Sequence, residues 1–75
     1  LVIETPPGQP ARPTIIDFKT DAIDAAHAAA RAETHREQLH DYRAAAAEIF
    51  AIEPRCFSLI VVFVVPGIAV SLSDR

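Results

Sequence analysis

The chain has one cysteine, no methionine, no tryptophan and two glycines among its 75 residues. A lone Cys56 excludes an internal disulfide and any cysteine-only metal site within these residues, and it fits a reducing compartment such as the cytoplasm. Basic charge is also scarce. Seven Lys and Arg against ten Asp and Glu leave a net charge of -3, with a pI near 5.4. That is not the electrostatic footprint of a stand-alone nucleic-acid-binding domain. No charged stretch precedes a short apolar one, so nothing within these residues reads as a signal peptide. An unbroken apolar run of about 20 residues, the length a membrane-spanning helix needs, is missing too. Residues 56–72 come nearest, but Pro66-Gly67 cuts them into two pieces of strand length, both rich in Val, Ile and Phe, which favour pleated sheet. This argues against a small membrane-anchored protein.

Apolar residues make up 51% of the chain, so it is expected to fold and not to behave as a disordered tail. At this length it is one small domain with a thin core of its own. The first residues, Leu1-Val2-Ile3-Glu4, read as the middle of a strand with no initiating Met, and a piece of a larger protein is expected. A strand over residues 1–5 runs into a loop over 6–13, where four prolines and a glycine cannot continue a ladder. Residues 14–19 alternate cleanly and form the second strand. A helical region rich in alanine spans 21–51, capped by Thr20 or Asp21, with Asp24 in its first turn and a possible break near Glu33-Thr34. Its apolar stripe of Leu39, Tyr42, Ala46, Ile49 and Phe50 is expected to lie on the sheet. Pro54 ends the helix, and residues 55–65 read as a central strand covered on both faces. Pro66-Gly67 turns the chain into a last strand over 68–73. The expected class is α/β (α+β): a mixed sheet with a helix packed on it, in the order β-β-α-β-β.

Two small polar clusters stand out on adjacent elements. Strand alternation puts Ile15, Asp17 and Lys19 on one face, with Asp17 and Lys19 roughly 7 Å apart, and Thr14, Ile16 and Phe18 on the other. A carboxylate and an amine on one face can serve a metal ion and its water. An isolated Asp-x-Lys is nonetheless most often a solvated pair at a strand end. Gln38 and Tyr42, four apart, share a face of the following helix, where a helix-to-sheet hydrogen bond and a packed ring are the plainer roles.

The two clusters together resemble the C-terminal nuclease of the RecB and AddA family, a branch of the PD-(D/E)XK nuclease superfamily. Thr14-Ile15-Ile16-Asp17-Phe18-Lys19-Thr20-Asp21 looks like that family's strand end, two hydrophobic residues followed by Asp, an aromatic, Lys, Thr and Asp. Gln38-Leu39-His40-Asp41-Tyr42 matches its Gln-x-x-x-Tyr helix motif at a similar distance downstream. His35 stands where many relatives carry a tyrosine. The resemblance implies a restriction-endonuclease-like core and a magnesium- or manganese-dependent deoxyribonuclease, an exonuclease belonging to an ATP-driven helicase-nuclease of double-strand break repair and recombination. The helicase would lie in the same chain or in a partner subunit, and would hold most of the DNA. Asp17 would be a metal ligand, with the Phe18 backbone carbonyl another. Lys19 would orient the attacking water and stabilise charge on the phosphate, and Gln38 and Tyr42 would support the site or touch the DNA strand.

The same family uses a carboxylate one strand earlier and often an upstream His, and neither is present. Glu4 lies too far along its strand to substitute. With one carboxylate ligand, this segment alone is expected to bind magnesium weakly and to cut little or nothing. The alternative is a catalytically inactive scaffold or DNA-positioning module of the same fold. His27, His35 and His40 are not spaced to stack on one helical face, so solvated or packed roles are expected for them. Cys56 reads as a small core residue at the opening of a strand.

Overall fold

The computed structural model describes residues 1–8 and 12–72 of the chain. Gln9, Pro10 and Ala11 of the expected loop, and Ser73 of the last expected strand, lie outside the described residues. The architecture is a small α+β domain with a four-stranded mixed sheet and two helices. The strands are β1 (Val2–Glu4), β2 (Thr14–Lys19), β3 (Ser58–Phe63) and β4 (Ile68–Leu72), and they lie side by side in chain order. β1 pairs antiparallel with β2, and β3 with β4, whereas β2 and β3 run parallel from Thr14–Ser58 to Lys19–Phe63. Parallel neighbours require a long crossover, and the helical segment supplies it.

That segment is two helices, α1 (Ala25–Glu33) and α2 (Arg36–Phe50), broken at Thr34 and His35. The start falls later than expected. Asp24 is itself the N-cap of α1, accepting the His27 N–H at 3.1 Å. A His27 ring nitrogen 2.6 Å from the same carboxylate oxygen holds the Asp24 carboxyl below its ordinary range. Asp21 does not cap, because its carboxylate is engaged by Arg31 at 2.7 Å. At the other end Ala51 closes α2 in the left-handed region, at φ 55, where its N–H reaches the Ala47 carbonyl. An L-residue with a Cβ is strained there, and glycine is not. The Ala51 side chain is exposed, so Ala51→Gly removes strain at no packing cost. Thermal denaturation should show a gain of about 0.5–1 kcal/mol, or roughly 2–8 °C.

Three expectations about burial are corrected. The strand expected over 55–65 is shorter, because Pro54–Cys56 form one 3-10 turn and Val64 and Val65 belong to the turn that Gly67 closes at φ 70. Cys56 is accordingly a half-buried free thiol in that turn and not a core residue opening a strand. β3 is also covered on one face only. Leu59, Val61 and Phe63 are buried with Ile15 and Leu72, whereas Ser58, Ile60 and Val62 stay exposed or half-buried on the far side with Thr14, Ile16 and Phe18. Finally, the expected stripe of α2 is only partly the buried one. Leu39 and Ala46 face the sheet, but Tyr42 is half-buried, and Ile49 and Phe50 are 77% and 54% exposed. At 100° per residue the buried arc is centred between Leu39 and Ala47, which turns Ile49 outward. Phe50 shares that arc's direction but sits on the last turn, beside Ile3, Pro13 and Ile52 in an apolar groove of about 230 Å³.

α1 packs on β4 through Ala28 and Ala32, and α2 packs on β2 through Leu39, Ala46 and Ala47. Small side chains let both helix backbones come close to the sheet. The inward row of β2 is apolar at Ile15 and turns polar at its C-terminal end, at Asp17 and Lys19.

Candidate functional site

On β2 the inward row reads Ile15, Asp17, Lys19, with cross-strand partners Leu59, Val61 and Phe63 on β3. Ile15, Leu59, Val61 and Phe63 are all 2% exposed or less. Alternation thus carries a carboxylate into the apolar layer and an ammonium to its rim. Asp17 is 7% exposed, the buried charged group among the described residues. Burial of a carboxylate is costly unless it is paired and hydrogen-bonded. Lys19 supplies the charge: its Nζ lies 3.0 Å from Asp17 Oδ2. The two form an ion pair at the edge of the apolar layer, and among the described residues Oδ2 takes no further partner.

The Lys19 ammonium does donate to Gln38 Oε1, at 3.4 Å. Gln38 lies in the first turn of α2, next to the fully buried Leu39, so the packing of the helix sets where its amide reaches. Asp17, Lys19 and Gln38 therefore converge on one face at one end of the sheet. Tyr42, one turn further along α2, is half-buried, and its hydroxyl makes no hydrogen bond to this cluster among the described residues. Phe18 divides between two directions. Its side chain is on the outer face and 47% exposed. Its carbonyl follows from backbone alternation: the Lys19 carbonyl accepts from the Val64 N–H, toward β3, so the Phe18 carbonyl points the other way, toward β1. The β1–β2 pairs run from Glu4–Thr14 to Val2–Ile16.

The donor set suits a hard, hydrated cation more than a soft one. Asp17 Oδ2 is a buried carboxylate oxygen ion-paired with Lys19, and the Phe18 carbonyl is a backbone oxygen on the next residue. Magnesium takes oxygen ligands and usually keeps several waters, so one carboxylate and one carbonyl fit it as a partial shell. No group of three or more His, Cys, Asp or Glu side chains converges among the described residues. Glu4 pairs with Thr14, in the row that faces away from Asp17, so it does not join the set.

The histidines divide as well. His27 is exposed on α1 and bonded to Asp24. His35 and His40 are half-buried on either side of Leu39, each with an Nε2 that is buried and lacks a partner. A helical wheel centred on Leu39 would have placed both beside the core. Two surface grooves lie away from the cluster. One, of about 490 Å³, runs along α1 beside His27 and Arg31. The other, of about 570 Å³, is at the end of α2 beside Glu48 and Ile52. Neither includes Asp17 or Lys19, and neither contains a buried charge. Chemistry is better placed at the polar end of β2, where a charged group is held in an apolar layer.

Among the described residues no helix is long and apolar enough to cross a membrane. Comparison with known proteins returns no matching family model, no matching curated protein and no matching solved structure.

Proposed function

We propose that the polar end of β2 is part of a metal-dependent nuclease site acting on DNA phosphodiesters, within a restriction-endonuclease-like fold of the RecB and AddA type. The observation that carries this reading is the convergence of Asp17, Lys19 and Gln38, drawn from two motifs 19 residues apart at the Lys19–Gln38 bond. An ordinary surface ion pair would leave its carboxylate in water, whereas here Asp17 is buried beside Lys19.

A bound magnesium or manganese ion supplies Lewis acidity and a more acidic water for attack at phosphorus. Asp17 Oδ2 and the Phe18 carbonyl would hold it. Lys19, at the rim, is placed to stabilise negative charge growing on the phosphate oxygens. Gln38 holds the ammonium against the sheet, and Tyr42 extends the same helix face toward the DNA strand. With one carboxylate in the set, cation binding by this chain alone is weak, and full activity belongs to a larger nuclease, with a helicase activity in the same protein or a partner. The test is cleavage of end-labelled linear DNA by the protein that carries this chain, in magnesium and in EDTA. Cleavage that EDTA abolishes is expected, and cleavage that survives EDTA, or none in magnesium, rejects the reading in favour of an inactive scaffold.

A further inference from the structure

We propose that the outer face of the sheet docks a second copy of this chain, with Phe18 of each copy seated in a groove of the other across a two-fold axis. This does not depend on the nuclease reading. β2 and β3 run parallel, and parallel strands are ordinarily covered on both faces, whereas here the helices take the inner face alone. The outer row pairs Val2, Ile16, Ile60 and Ser71 across the four strands, with Val62 and Ala69 aligned beside Phe18. Val2 and Phe18 are 42% and 47% exposed. Among the described strand residues the one charged side chain on this face is Glu4, at the corner where β1 meets the start of β2.

Shape and charge commit the face to a copy of itself. Phe18, its largest side chain, stands near the C-terminal end of β2. At the other end Pro6, Pro7, Thr14, Ile16 and Ile60 line a groove of about 370 Å³, with Glu4 beside them. Knob and groove are thus about 13 Å apart along one strand. A two-fold axis crossing the strands at Ile16 lays each Phe18 over the groove of the other copy, which is the reciprocal contact of an isologous interface. The positive edge of the ring suits the Glu4 carboxylate there. The same axis keeps the two Glu4 side chains further apart than the screening length of about 8 Å, so like charges do not oppose docking. It also puts the polar ends of β2 at opposite ends of the pair, both open. Area agrees with this size of partner. The outer side chains leave about 500 Å² exposed per copy, so docking buries about 1,000 Å², at the low end for a specific interface, and a dissociation constant in the micromolar range is expected.

Sedimentation equilibrium of the chain from about 1 to 300 µM tests this, and a monomer–dimer equilibrium is the expected result. Phe18→Lys should raise the dissociation constant about thirtyfold or more, as loss of a central aromatic anchor does. Ile49→Lys, the same kind of change at a 77% exposed residue of α2, should leave it unaltered. Phe18→Trp keeps an aromatic anchor, and its fluorescence should shift to the red as dilution takes the ring out of the groove. A monomer at every concentration overturns the proposal and gives the face to another segment or partner. Association that does not stop at a dimer, an equal loss in Phe18→Lys and Ile49→Lys, or Trp emission that ignores dilution means unspecific apolar contact and overturns it as well.

Discussion

Asp17→Asn is expected to abolish magnesium-dependent DNA cleavage and to leave the fold about as stable as before. The two halves of this result separate a functional carboxylate from a structural one. Asn keeps the size and hydrogen-bonding character of Asp but loses the charge that holds a cation. A metal acting as Lewis acid contributes several kcal/mol of transition-state stabilisation, so its loss lowers the rate by roughly a thousandfold or more. On the stability side, Asp17 is 7% exposed and one of its oxygens has no donor, which makes the carboxylate a burden that the Lys19 contact only partly offsets. Removing the charge relieves that burden. It does strand the Lys19 ammonium, but this side chain is 22% exposed and keeps Gln38 as an acceptor. The net change should stay within about 1 kcal/mol. Cleavage and thermal melting, measured on the same preparation, decide it. Cleavage within tenfold of the parent would remove Asp17 from the site, and a collapse in melting temperature would make it a structural ion pair instead.

How far the site could be read from sequence depends on the range of the interactions that build it. Asp17 and Lys19 share a face because strand alternation is a local rule, and the structure keeps both on the inward row. The break between the helices was legible as well, at Glu33-Thr34, one residue before Thr34 and His35 interrupt the ladder. The cap was misplaced because Thr20, Asp21 and Asp24 are all cap-competent in isolation. What decided among them was the engagement of Asp21 by Arg31, ten residues away. Burial failed in a different manner. Val, Ile and Phe in β3 report that a strand wants to be covered, not that anything covers it, and only one face is packed here. On α2 the large residues Ile49 and Phe50 drew the expected stripe to themselves, whereas the sheet is met by Ala46 and Ala47, whose small side chains carry little hydrophobic signal. The Lys19–Gln38 bond joins residues 19 apart, and it is of the helix-to-sheet kind that is the plainer role for Gln38, with its partner set by the tertiary packing.

Leu39→Ala is expected to have the largest effect on folding of any single change in α2, and to take the site apart with it. Of the residues α2 buries, Leu39, Ala46 and Ala47, Leu39 is the sole large one. It is fully buried, packed between the helix and the inner face of the sheet. Truncating such a leucine costs about 2–5 kcal/mol, from lost transfer energy and from the cavity it leaves. A domain of this length has a total stability of only about 4–11 kcal/mol, so the loss removes a large share of it. The melting temperature should fall by about 10–30 °C. Because the other residues that α2 buries are alanines, the helix has no second large side chain to hold it on β2, and Gln38 should lose its reach to Lys19 before the sheet itself separates. Amide hydrogen exchange distinguishes this from uniform weakening. Protection should be lost first in Arg36–Phe50, with β2 and β3 retaining theirs, and equal loss across helix and sheet would mean that Leu39 stabilises the domain as a whole without anchoring α2 in particular.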